Sequence, residues 1–187
     1  MADAAPVIYL AGPEVFLTNA VEIGAAKVAM CAAHGLEGRF PLDMVGPDAL
    51  EGLAPEAQAA VIFDALVVGL DRCAAVIANM TPFRGPSTDV GTAWEMGYAA
   101  GRGIPVFAYT NDVAHYGARV APDGMDIEAF DLADNLMLAR AVAHHGGDVL
   151  RHDSGVTGAD ALAEGSEEAF VAGVAEARSE EHTSELQ

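Results

Sequence analysis

Two carboxylates frame the chemically richest stretch of the chain, Asn79-Met80-Thr81-Pro82-Phe83-Arg84-Gly85-Pro86-Ser87-Thr88-Asp89-Val90-Gly91-Thr92-Ala93-Trp94-Glu95-Met96-Gly97. On a helix rising 1.5 Å per residue, the six-residue step from Asp89 to Glu95 sets them about 9 Å apart along the axis, far enough to flank a small substrate. Two carboxyl groups in one pocket can divide the roles of nucleophile and acid, because their environments separate their pKa values. Asp89 also has a purely structural reading: Ser87 or Thr88 caps the helix, and Asp89 in its first turn is favoured by the helix dipole. Glu95 lies mid-helix among Gly91, Ala93, Trp94, Met96, Gly97 and Ala99, with no basic residue three or four positions away to pair with it. A carboxylate there needs an explanation. An interior glycine costs about 1 kcal/mol relative to alanine, so Gly91 and Gly97 suggest that backbone or ligand packs close to this helix.

The elements that must position these groups follow from apolar patterning. Val7 to Ala11 is a short apolar run ended by Gly12-Pro13 and reads as the first strand. Helical spacing from Thr18 to His34, with Thr18 or Asn19 at its start and Gly35 at its stop, gives a helix. Leu36 to Phe40 reads as a second strand, residues 41–52 as a Pro- and Gly-rich loop, and Pro55 opens a helix to about Leu70. Apolar runs at 74–79 and 104–109 are separated by a helical segment from about Thr88 to Gly101. Strand and helix alternate, which predicts a doubly wound α/β fold: a flavodoxin-like or Rossmann-like three-layer sandwich with a parallel sheet of four to five strands. Four strands are legible. The region after Ala133 reads as helix, and the fifth strand has no placement. A final amphipathic helix is expected within Ala159 to Ala177, closing a single domain over residues 1–177. The ending 178–187 has no periodic apolar face, resembles translated sequencing-adaptor sequence, and reads as a non-native or disordered tail.

Composition narrows the function classes. Lys+Arg 9 against Asp+Glu 28 gives a formal net charge of −19, which repels polymeric DNA or RNA and anionic membranes. The longest apolar stretch, Ala57 to Leu70, is interrupted by Gln58 and Asp64 and is too short to span a bilayer, and the N-terminus has no secretory pattern. Cys31 and Cys73 stand apart among apolar neighbours, which fits reduced thiols in a cytoplasm. The turn after the first strand, Ala11-Gly12-Pro13-Glu14-Val15-Phe16, has one glycine and a proline where a dinucleotide fingerprint needs several glycines and free N–H groups. The six histidines form no zinc spacing. The expectation is therefore chemistry without metal or cofactor.

Three motifs in order, Ile8 to Phe16, Ala78 to Tyr98 and Ala133-Asp134-Asn135-Leu136-Met137-Leu138, resemble those of nucleoside 2-deoxyribosyltransferases, over roughly residues 7 to 145. The resemblance implies that Glu95 attacks the anomeric carbon of a 2-deoxyribonucleoside to give a covalent deoxyribosyl-enzyme and a free base, after which a second base takes the sugar. It implies that Asp89 handles proton transfer at the base, that Tyr9 holds the nucleophile by its hydroxyl, and that Asp64 contacts the base. Asp64 equally suits the polar side of its helix. Asn135 matches an asparagine that enters a neighbouring subunit's pocket to bind sugar hydroxyls, which implies a homo-oligomer; an ordinary helix cap is the alternative. Gly12, Pro13, Phe16 and Gly91 are expected to shape the pocket. The implied partners are purine or pyrimidine 2-deoxyribonucleosides and free bases, in nucleoside salvage. The nearest rival is a deoxynucleoside 5-monophosphate N-hydrolase, which carries a phosphate-binding serine where this chain has Asp89, although Arg84 and Ser87 stand nearby. A third reading is a nucleoside-binding module without turnover.

Overall fold

The computed structural model describes residues 4–145, 147–156, 161–162 and 170–175. In chain order the elements are β1 (Val7–Ala11), α1 (Ala20–Ala33), β2 (Glu37–Arg39), α2 (Pro55–Arg72), β3 (Ala75–Asn79), α3 (Val90–Gly101), β4 (Val106–Thr110), α4 (Tyr116–Arg119), α5 (Leu136–His144) and β5 (Leu150–Arg151). Single 3-10 turns at Pro13–Phe16 and Pro41–Met44 follow β1 and β2, each with proline in its opening position. The sheet is parallel throughout, in the order β2-β1-β3-β4-β5. This is the flavodoxin-like order, and it places a crevice where the winding reverses, between β1 and β3.

Strand periodicity of two divides the core into two layers. Ile8, Leu10, Ile77, Phe107 and Tyr109 pack with Cys31, Phe170 and Val174 on the α1 side. Tyr9, Ala11, Val76, Ala78, Val106 and Ala108 face the other way, against Leu70, Met96, Ala99 and Val142 of α2, α3 and α5. β3 and β4 are buried at every position, as continuous apolar strands must be when helices cover both faces. The register sets Tyr9 beside Val76, so its side chain enters the layer between the sheet and α2 and α3.

Several expectations are sharpened by the structure. α1 starts at Ala20 with Asn19 at its cap, which makes no side-chain capping bond, and ends before Gly35, whose φ of 76° is a left-handed stop. The fifth strand is real but only two residues long, Leu150 pairing with Tyr109 and Arg151 with Thr110; so short a strand has no periodicity to read. Of the expected final helix, residues 161–162 and 170–175 are helical. The rest of that segment and the 178–187 ending lie outside the described residues. Cys31 is buried, its thiol pushed up to about 11 by desolvation, whereas Cys73 is only half-buried. Among the described residues no helix is long and apolar enough to cross a membrane.

Candidate active site

The reversal of winding at β1 and β3 opens a cleft of about 440 Å³ lined by Gly12, Val15 and Phe16 after β1, by Pro41, Leu42 and Val45 to Pro47 and Leu50 after β2, and by Ile62 and Leu66 of α2. Its remaining wall is Asp89, Gly91, Thr92 and Glu95. The two carboxylates singled out by spacing thus share one largely apolar cavity.

Glu95 finds its partner across the layers rather than along its helix. The Tyr9 hydroxyl donates to Glu95 Oε1 at 2.5 Å, a contact between residues 86 positions apart. Glu95 is only 8% exposed. Burial pushes its carboxyl up to about 7; the Tyr9 hydrogen bond opposes this rise and the nearby Asp89 charge adds to it. Desolvation, reinforced by Glu95, holds the Tyr9 hydroxyl far above its ordinary range, so it stays protonated and donates throughout the useful pH interval.

Asp89 is itself the N-cap of α3, not a first-turn residue: its Oδ2 accepts from the Thr92 amide at 3.0 Å and from the Thr92 hydroxyl at 3.3 Å. Ser87 and Thr88 are not caps, because their hydroxyls turn to the buried Asp134 of the segment before α5. Both Asp89 bonds go to Oδ2, and among the described residues none is formed by Oδ1, so capping and a place in the cleft wall coexist. At Gly91, which lines the cleft, a Cβ would meet Oδ2 of the helix's own cap Asp89 at 3.0 Å, not the backbone of another element. The expected close approach does not hold at Gly97, where a Cβ would meet nothing within 4 Å.

The other expected site residues divide. Gly12 and Phe16 line the cleft; buried Pro13 opens the turn between them without touching it. Phe16 stacks on Phe83 with ring centroids 5.2 Å apart, and the Arg84 guanidinium covers both rings, its backbone at φ 55°. Asp64 is exposed on α2 and is absent from the cleft wall, which its neighbours Ile62 and Leu66 supply. Asn135 lies outside this cleft and caps α5: its Oδ1 accepts from the Met137 amide at 3.0 Å and its Nδ2 donates to Glu128 at 2.6 Å.

Sequence reasoning missed the support beneath the cleft. Glu14, 2% exposed, receives hydrogen bonds from Lys27, from Asn79 Nδ2 at 2.7 Å and from the Tyr109 hydroxyl at 3.1 Å, joining the ends of β1, β3 and β4 to α1. Burial alone would raise its carboxyl, but the Lys27 ammonium and the Asn79 hydrogen bond outweigh it and hold the group below its ordinary value. A side chain at Gly12 would collide with this carboxylate, which explains the glycine. The available signal is a glutamate inside an otherwise apolar turn, Gly12-Pro13-Glu14-Val15-Phe16.

What the cleft offers is a buried carboxylate of raised pKa with a fixed hydrogen-bond donor, a second carboxylate nearby, and apolar walls. This is the equipment for displacement at a carbon centre with a separate proton carrier. The chain is 38% identical over 117 residues to an uncharacterized protein of Schizosaccharomyces pombe, an alignment covering 62% of this chain and 54% of that protein, so the chain spans about half the length of that relative. A 2-deoxyribosyltransferase from Leishmania mexicana superposes with a TM-score of 0.62 at 27% identity, covering 90% of this chain and 97% of the other. A conserved protein from Enterococcus faecalis V583 shares the fold, with a TM-score of 0.54 at 21% identity over 86% of this chain and 97% of the other. The sequence profile for nucleoside 2-deoxyribosyltransferase matches residues 8–137, from the strand carrying Tyr9 to the helix capped by Asn135, and the chain belongs to that family.

Proposed function

We propose that the chain exchanges the bases of 2-deoxyribonucleosides by a retaining double displacement through a covalent deoxyribosyl-Glu95 intermediate, in nucleoside salvage. The observation that carries this reading is the Tyr9 hydroxyl fixed on Glu95 at the wall of an apolar cleft. Ionised Glu95 attacks the anomeric carbon, the N-glycosidic bond breaks, and its electron pair leaves with the base, which takes a solvent-derived proton relayed through Asp89. The glycosyl ester is then attacked by a ring nitrogen of a second base. That base loses its proton to Asp89, and the bond to Glu95 breaks. A raised pKa suits Glu95 as a basic nucleophile, and Tyr9 stabilises it as it regains charge on leaving. Asp64 is proposed to contact the base, and Asn135 to serve the pocket of a neighbouring copy in a homo-oligomer. In the rival reading, on nucleoside monophosphates, Ser87 would have to bind phosphate, yet its hydroxyl is engaged by Asp134, and the Asp89 charge faces the cleft.

The test is incubation with deoxyinosine, with and without adenine, following hypoxanthine and deoxyadenosine by chromatography, and repetition with pyrimidine donors and acceptors. Exchange that Glu95→Ala abolishes supports the proposal. Base release without exchange makes water the acceptor, and absence of both overturns an enzymatic role.

A further inference from the structure

We propose that the Asp134 carboxylate, backed by Arg119, is a single anchor that positions both Asp89 in this chain's cleft and Asn135 at the head of α5. Asp134 is fully buried. Its Oδ1 accepts from the Ser87 hydroxyl and from the Asn135 amide at 2.7 Å. Its Oδ2 accepts from the Thr88 amide at 2.8 Å and from the Thr88 hydroxyl at 3.0 Å. The Arg119 guanidinium lies 3.7 Å from Oδ2 and donates to the carbonyls of Pro86, Ala114 and Ala133 at 2.8, 2.6 and 2.7 Å. The two residues before Asp89 and the residue after Asp134 therefore hang from one side chain, and the arginine clasps the same two segments from α4.

The need for this anchor follows from the loop itself. Residues 80–89 contain two prolines, a glycine and Arg84 in the left-handed region, and leave β3 without regular structure before α3 begins. Asp89 caps α3 with its own side chain, so its carboxylate is placed only as well as the Thr88 backbone is. An amide cannot replace Asp134: each carboxylate oxygen faces a backbone N–H, of Asn135 or of Thr88, so an asparagine must turn an NH₂ toward one of them. The positioning itself rests only on these bonds. Its effect on turnover rests on the roles proposed above for Asp89 and Asn135.

The experiment compares wild type with Asp134→Asn and the double variant Ser87→Ala/Thr88→Val, well below each melting midpoint. The readouts are kcat and the pH profile of kcat/KM for base release, with hydrogen exchange at the Thr88 and Asn135 amides. The ionisable groups acting on Glu95 are Tyr9 from β1 and Asp89 at the head of α3, while α2 presents Ile62 and Leu66 to the cleft. Displacing Asp89 therefore lowers kcat at least tenfold and moves the acid limb to lower pH, which a merely destabilising substitution does not do. In Asp134→Asn the amide that the NH₂ faces loses its acceptor and exchanges faster. A kcat within twofold of wild type with an unmoved acid limb overturns the proposal. If Asp134→Asn does not fold, the double variant decides by the same limb. If the wild type shows no deoxyribosyl chemistry, the proposed function fails on its own, and the anchor is judged by exchange alone: unchanged rates at the two amides overturn it.

Discussion

Replacing Tyr9 with phenylalanine removes one oxygen and leaves the buried ring in place, so it isolates the hydrogen bond to Glu95. A hydrogen bond to a charged group is worth about 1.5–3 kcal/mol. Donation stabilises the carboxylate over the acid, so its loss raises the Glu95 pKa, by about 1–2 units at 1.36 kcal/mol per unit. From a starting point of about 7, the carboxyl moves to roughly 8–9. At neutral pH the ionised fraction drops from about a half to roughly 1–10%, and kcat/KM for base release falls about 5- to 50-fold. The deficit shrinks as the pH is raised through the new pKa, because the more basic carboxylate is no weaker a nucleophile once ionised. The assay is the pH dependence of kcat/KM from pH 5 to 10 for both proteins, with folding checked by circular dichroism. An acid limb at the same pH in Tyr9→Phe refutes the claim that this hydroxyl sets the charge state of Glu95.

Other outcomes follow from the same geometry. Asp89→Asn removes a charge that raises Glu95 and a proton carrier: kcat falls about 10²- to 10⁴-fold while the acid limb moves down in pH, measured on the same profile. Gly12→Ala drives a methyl group into the Glu14 carboxylate and Asn79, and lowers stability by about 1–3 kcal/mol in urea unfolding. Glu14→Gln leaves Lys27 buried without its counter-charge and costs about 3–5 kcal/mol by the same method. Because the folded pKa of Glu14 is depressed, its contribution is present above the unfolded carboxyl pKa of about 4.3 and is lost as pH falls through the folded value; the variant's stability declines less steeply in that acid range. Asn135→Ser keeps a capping oxygen but shortens the reach, so stability stays within about 0.5 kcal/mol while turnover falls; unchanged turnover removes Asn135 from a neighbour's site.

What could be read in advance was whatever repeats or violates a local rule. The apolar runs of β1, β3 and β4 and the helical spacing of α1 to α3 are such repeats, and they yield the doubly wound class. Glu95 was legible because it breaks the apolar pattern of α3 without a local partner, and its real partner, Tyr9, came only from family resemblance, since nothing local links residues 86 apart. β5 was illegible because two residues carry no period. The cap of α3 was ambiguous because Ser87, Thr88 and Asp89 all suit an N-cap, and Asp134 on a distant segment takes the hydroxyls of the first two. Glu14 and Lys27 were missed because a buried ion pair thirteen residues apart leaves no trace in either element alone.

The two sides of the cleft are built of different material. Tyr9 and Glu95 sit on a central strand and a packed helix, whereas Pro41 to Leu50 is a stretch of turns that contributes apolar side chains and belongs to neither. Under the proposed function, rigid elements hold the reacting groups, and a loop supplies the shape against which a base would lie. Selection can therefore retune what is accepted by exchanging Leu42, Val45 or Leu50 without revisiting the bond between Tyr9 and Glu95. The same separation makes this loop the natural place for a mutant library aimed at unnatural bases, with the chemistry left untouched.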